Sequence, residues 1–216
     1  MDANSLFDKY MSDVDITQAD GTTEKAVEVG KDKVQSGADT FRWRYESGKK
    51  VKDYEKVCMR CINDIFTEAG IAMPLTNNVA TFMDAVEGRP VELLSHIGEK
   101  RHYKPSKDWQ AIDIASDLKA GDIMVVNNTE GGYHAVLIKN VTGTPDRNGL
   151  FRGYFNGVDV IHDRGAPLGN DPRSIQTNHY EWYELNEGQG GEQGPNRKFV
   201  RGYRFNPSTG DRNADS

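Results

Sequence analysis

The stretch Tyr54-Glu-Lys-Val-Cys58-Met-Arg-Cys61-Ile-Asn-Asp-Ile65-Phe66-Thr-Glu-Ala69-Gly70-Ile-Ala-Met-Pro74 decides how this chain is read. Cys61, Ile62, Ile65, Phe66 and Ala69 recur at three- and four-residue steps and form one apolar stripe, which predicts a helix from near Cys58 to Ala69. Gly70 supplies the left-handed residue that closes a helix, and Pro74 prevents a restart. The two cysteines then occupy different places. Cys61 lies on the stripe and belongs to the core, where free cysteine is at home. Cys58 falls in the first turn, where unpaired backbone N–H groups and the positive end of the helix dipole favour a thiolate. Cys58 is therefore the candidate nucleophile. A cysteine without such surroundings is ordinarily an inert, buried small residue, so the case depends on a base elsewhere in the chain.

Composition limits the function classes. The chain has 216 residues, enough for one domain with extensions and a core that needs no staples. Only 36% of the residues are hydrophobic and the mean hydropathy is −0.72, so much of the chain must be loop or solvated surface. A formal charge of −6 argues against nucleic acid as the main partner, because phosphate binding needs a basic face. No apolar run approaches a membrane span. The first residues, Met1-Asp-Ala-Asn-Ser-Leu-Phe-Asp8, lack the basic and apolar blocks of a secretory signal. These features suggest a soluble product made in the cytoplasm, whose export would need a signal-independent route.

Working outward, residues 1–38 read as a polar N-terminal arm with a short surface helix over Thr23–Val34, ahead of a domain spanning 39–207 and a disordered tail at 208–216. Phe41-Arg-Trp-Arg-Tyr45 is an aromatic cluster packed just before the cysteine helix. Asn77–Val86 is a second helix with Val79, Phe82, Met83 and Val86 on one face. Residues 91–110 read as a loop or short helix carrying His96, His102, Tyr103 and Trp109. A Gly121-Asp122 turn leads to a strand at Ile123–Val126, and Tyr133–Lys139 is a strand so apolar that both its faces are buried. Leu150–Asn156 is the next strand, antiparallel to it, with a further short strand at Val158–Ile161. Tyr180–Leu185 and Phe199–Phe205 have the alternation of edge strands.

His134 begins the apolar strand after a Gly-Gly loop. Projected from the strand end toward a helix N-terminus, its imidazole would be the base a cysteine nucleophile needs. Asn156 falls nearly opposite His134 if the hairpin turns about Pro145 and Asp146, and its amide could then orient the ring. His162, in Val-Ile-His-Asp163, is the rival for that role.

Cys58 followed by Gly70-Ile-Ala-Met-Pro74, then Leu118-Lys-Ala-Gly-Asp-Ile-Met-Val-Val126, then Tyr133-His-Ala-Val-Leu-Ile138, resembles the papain-like cell-wall amidases: NlpC-type peptidases, CHAP amidases and amidase effectors of type VI secretion. Tyr-Phe-Asn-Gly157 is similar to the CHAP segment that ends in asparagine. The likeness runs from Tyr54 to Gly157. Val57-Cys58-Met59-Arg60 departs from the small-residue approach usual in those families, and a second histidine in many NlpC-type enzymes keeps His162 in contention.

The resemblance implies an α+β fold, papain-like, with a nucleophile helix packed on an antiparallel sheet. It implies a cysteine amidase or endopeptidase acting on peptidoglycan stem peptides, with Cys58, His134 and Asn156 as its catalytic residues and with no cofactor or metal. As a secreted antibacterial effector or lysis enzyme it would act in the target-cell periplasm and have a secretion apparatus and an immunity protein as partners. Two alternatives remain: a papain-like binding module without catalysis, and a Cys58-x-x-Cys61 metal or redox site, for which a second cysteine or histidine pair is missing.

Overall fold

The computed structural model describes residues 22–38, 42–53, 57–71, 73–74, 76, 78–89, 92–94, 100–102, 108–127, 132–143, 155–163, 175–187 and 198–207. They form an α+β arrangement of four α-helices and a six-stranded antiparallel sheet, with two small hairpins. In chain order the elements are α1 (Thr23–Gln35), β1 (Arg42–Glu46), β2 (Lys49–Asp53), α2 (Val57–Glu68), α3 (Val79–Val86), β3 (Glu92–Leu94), β4 (Lys100–His102), β5 (Trp109–Ile112), a 3-10 turn (Ala115–Asp117), β6 (Ile123–Asn127), β7 (Tyr133–Gly143), β8 (Phe155–Asp163), β9 (Ile175–Glu181), α4 (Trp182–Glu187) and β10 (Phe199–Phe205). The large sheet has the order β5-β10-β6-β7-β8-β9.

The cysteine helix forms where its stripe predicts. Gly70 (φ 83°) takes the left-handed position after it, Gly70 N–H donates to Thr67 O, and Ile71 N–H reaches back to Phe66 O at 2.8 Å. Asn63, one helical face away from solvent, donates from Nδ2 to Thr76 O at 2.8 Å and pins the segment beyond the helix. Helix α3 starts at an N-cap, Asn78, whose side chain accepts from Thr81 N–H.

Both faces of the sheet are covered, and residue parity decides which face a side chain joins. Ile123, Val125, Ala135, Leu137, Ile161 and Ile175 pack with helices α1, α2 and α3 in one core. Met124, Val126, Val136, Ile138, Val158, Val160 and Tyr180 pack in a second core with Ile112, Leu118 and Leu185. Ala135, Val136, Leu137 and Ile138 are all fully buried, as a strand without polar positions requires.

Several elements differ from their sequence reading. The helix expected over Thr23–Val34 is present as α1 but is more than a surface helix: Ala26, Val27 and Gly30 are buried, and a Cβ on Gly30 would stand 3.0 Å from Ile161 Cδ1, so the missing side chain lets the helix settle onto β7 and β8. Within 91–110, where the sequence predicts a loop or short helix, the described residues include strands β3 and β4 and the start of β5. Phe155–Asp163 is one continuous strand, so Asn156 and Val158–Ile161 do not belong to separate ones. Tyr180–Leu185 divides into the end of β9 and the start of α4, because the Glu184 carboxylate accepts the Glu181 N–H at 2.9 Å and caps a helix there. Phe199–Phe205 is interior, between β5 and β6; Gly202 permits this, since a Cβ would come within 2.6 Å of Leu118 Cδ2. The Pro145–Asp146 turn, most of the Leu150–Asn156 strand, His96, Tyr103, residues 1–21 and residues 208–216 lie outside the described residues.

Candidate functional site

Cys58 lies in the first turn of α2, half-buried against the helix-side core, while Cys61, one turn on, is fully buried in it. Burial raises the Cys58 thiol above its ordinary 9.0; backbone N–H groups of Ala135 and Met59 oppose this, the Asp163 carboxylate adds to it, and the N–H of Cys58 itself works against it. The thiol form prevails at neutral pH. Cys61 is raised well above 9.0, first by its burial and then by Asp163 and Asp64.

The backbone N–H groups of Ala135, Met59 and Cys58 give the thiol a helix-start environment that works against its burial. It arises where the β7–β8 ladder ends. The last paired residues are Leu137 and Ile161, and beyond them Ala135 and Asp163 stand at the two strand ends. Asp163 pairs with Ile175, a member of the helix-side core, and is only 1% exposed.

His134 is in the neighbouring position to Ala135, and parity sends it the other way. Its partner across β6 is Val126, a member of the second core. His134 Nε2 lies 2.9 Å from Nδ1 of His162, the two rings nearly perpendicular at 84°. His162 is 5% exposed; its Nε2 lies 2.9 Å from Asn178 Nδ2, and its ring meets Tyr180, also of the second core. Because the amide nitrogen of Asn178 can only donate, His162 Nε2 accepts, so Nδ1 carries the proton and donates to His134 Nε2. The result is an ordered chain, Asn178 to His162 to His134, on the sheet face opposite Cys58.

No family model, curated protein or solved structure matches this chain.

The expected constellation is therefore divided. His134 and His162 come together, Cys58 is on the reverse of the sheet, and Asn156 is remote from both. Asn156 follows Phe155, which pairs with Gly143, at the far end of β7 from His134. At the usual strand rise the two are roughly 25 Å apart. The turn assumed at Pro145 and Asp146 sets the wrong register, because Leu137 pairs with Ile161 and His134 is consequently beyond the β8 ladder altogether.

On the Cys58 face, β7 presents Tyr133 two positions before Ala135, 43% exposed. The residues that sequence reasoning missed are thus Tyr133, Asp163 and Asn178. The signal for the first was local: a small residue, Ala135, sits where the helix must approach most closely, and Tyr133, not His134, shares its parity. As for the Cys58-x-x-Cys61 alternative, no group of three or more His, Cys, Asp and Glu gathers to hold a metal among the described residues. Nor, among them, is any helix long and apolar enough to cross a membrane.

Proposed function

We propose that this chain is a peptide-binding module with the architecture of a papain-like cell-wall amidase, engaging peptidoglycan stem peptides on the Cys58 face without cutting them. The observation that carries this reading is the parity of β7: Cys58 packs on one side of the sheet while His134 bonds to His162 on the other. An imidazole directed away from the thiol cannot take its proton, and a thiol raised by burial does not ionise unaided at neutral pH. The papain-like assignment itself rests on the motif order from Tyr54 to Gly157 and on a cysteine helix lying against an antiparallel sheet. The excess of acidic side chains is compatible with a peptide that bears an amine.

Hydrolysis is the second reading, and the Ala135, Met59 and Cys58 N–H groups favour it, since they work against burial in the direction that a thiolate nucleophile needs. In that reading Cys58 attacks an amide carbonyl and the chain is a cysteine amidase delivered as an antibacterial effector or lysis enzyme.

Incubation of the purified chain with peptidoglycan sacculi separates the two. Binding without turnover predicts co-sedimentation with the sacculi and no new primary amines, with Cys58→Ala binding as well as the parent. Release of amines that stops in Cys58→Ala would overturn the binding reading in favour of the amidase. Neither sedimentation nor release would remove peptidoglycan from both.

A further inference from the structure

The end of the sheet farthest from Cys58 holds a cleft of about 540 Å³ lined by Thr142, Phe155, Asn156, His179, Glu181 and Trp182. That volume is in the range of small-molecule sites. The lining comes from three adjacent strands and the first residue of α4. Thr142 pairs with Gly157, and Gly157 pairs with Glu181, so the three make one row across β7, β8 and β9. Gly157 occupies the middle of the row (φ 153°), and a Cβ there would come 2.3 Å from Tyr180 O and 3.0 Å from His179 Nε2. The imidazole of His179 thus lies across the bare glycine, held by Asp159 Oδ1 at 2.8 Å from its Nδ1. Its other nitrogen faces the cleft side, 3.7 Å from Glu181 Oε1, beyond direct hydrogen-bond reach. Trp182 exposes 45% of its surface at the rim, unusual for so large an apolar ring.

We propose that this cleft is a carbohydrate-binding site that takes a pyranose ring, with the ring's C–H face on the Trp182 indole and its hydroxyls on Asn156, His179 and Glu181. The chemistry of the lining selects this class. An exposed indole offers a flat apolar platform, and stacking on it needs no charge on the ligand. The amide of Asn156 both donates and accepts, Glu181 accepts, and His179 Nε2 accepts because its Nδ1–H donates to the Asp159 carboxylate, which matches hydroxyl groups that both donate and accept. A phosphate or carboxylate ligand would face Asp159 and Glu181 with only one imidazole to meet it. A simple cation could pair with Glu181 and stack on Trp182 but would leave Asn156 and His179 unused. The inference is independent of any chemistry at Cys58.

Isothermal titration of the full chain with N,N′,N″-triacetylchitotriose and with maltotriose tests it. One of these uncharged saccharides should bind and the alkyl diammonium cadaverine should not. Trp182→Ala should weaken saccharide binding roughly tenfold, the scale of one aromatic stacking contact. Asn156→Ala should also weaken it, and Cys58→Ala should leave it unchanged. Circular dichroism melts of each variant separate a lost contact from a lost fold, and Trp182→Phe, which keeps a smaller platform, should fall between parent and Trp182→Ala. Absence of heat with both saccharides, or binding of cadaverine in their place, would overturn the proposal, as would saccharide binding insensitive to Trp182.

Discussion

His134 Nε2 meets Nδ1 of His162 at 2.9 Å across the ends of β7 and β8, with both rings turned toward the core that Cys58 does not touch. The pair is anchored by Asn178 and is an integral part of the sheet's second face. A structural role for it has energetic consequences. His162→Ala removes a buried ring together with its hydrogen bonds to the part-buried Asn178 and His134 and should destabilise the fold by about 1–3 kcal/mol. His134→Ala, at the half-buried end of the chain, should cost less. Chemical denaturation of both variants checks the order; equal and negligible effects would show that the hydrogen-bonded chain contributes nothing.

Alkylation of Cys58 should be slow at neutral pH and should rise only above pH 9, because burial and Asp163 hold the thiol above its ordinary value of 9.0. Asp163→Asn removes the carboxylate and should shift the profile downward. Since both cysteines titrate higher in the folded chain than unfolded, their contribution to stability is complete below pH 9 and fades as pH rises through the folded values. Iodoacetamide labelling with peptide mapping measures the profile, and rapid labelling of Cys58 at pH 7 would contradict it.

Tyr133→His should bring an imidazole to the Cys58 face, two positions from Ala135. A protonated imidazole near the sulfur favours the thiolate, so the labelling profile should move toward lower pH. His134→Ala should leave that profile where it is. The reverse pattern, with His134 governing Cys58 reactivity, would show that the two residues communicate through the strand ends.

The opposite end of the pH range is governed by Glu87. Burial works to raise its carboxyl, but hydrogen bonds from Tyr203 and Arg201, with the Arg201 and Arg89 charges, outweigh this and hold it below 4.5. Tyr203 Oη donates to Glu87 Oε1 at 2.6 Å and ties α3's end to β10. A lowered carboxyl stabilises the fold above its unfolded value and ceases to do so as pH falls through the folded one. Glu87→Gln should therefore flatten the acid limb of a stability-against-pH curve below pH 4.5. An unchanged limb would exclude Glu87 as its source.

Asp122 is a different case, 1% exposed and bonded to Arg204 Nε at 2.9 Å, Arg204 Nη2 at 2.7 Å and Lys119 N–H at 2.7 Å. Burial raises its carboxyl despite these partners, so it takes up a proton more readily than a solvated aspartate. Asp122→Ala leaves the Arg204 guanidinium with the Asp117 carbonyl but without its carboxylate and should cost about 2 kcal/mol, measured by thermal or urea unfolding. A loss below half that value would mean Arg204 finds water instead.

Helix α2 was legible because Cys61, Ile62, Ile65, Phe66 and Ala69 state their period without ambiguity. The strand β7 was legible as a strand for the opposite reason, its continuous Ala135–Ile138 run, and that same run hid which face His134 takes. A strand buried on both sides carries no polar alternation from which parity can be read. Asn156 was misjudged because register depends on a turn, and no residue in Thr142–Leu150 determines where the chain reverses. The central position of β10 was hidden too, since an alternating strand such as Phe199–Phe205 looks the same at an edge or beside Gly202's close neighbours.

The place of β10 bears on how the chain is made. Among the described residues, 109–112 pair with 202–205 alone, and β6 likewise meets β10 on one side. As the polypeptide leaves the ribosome, β6 to β9 can zip in order, but β5 must wait, unpaired, for a segment nearly a hundred residues downstream. Closure of the sheet is thus a late event in biosynthesis, and a ribosome stalled before Phe199 should display a nascent chain sensitive to protease around Trp109 until translation resumes.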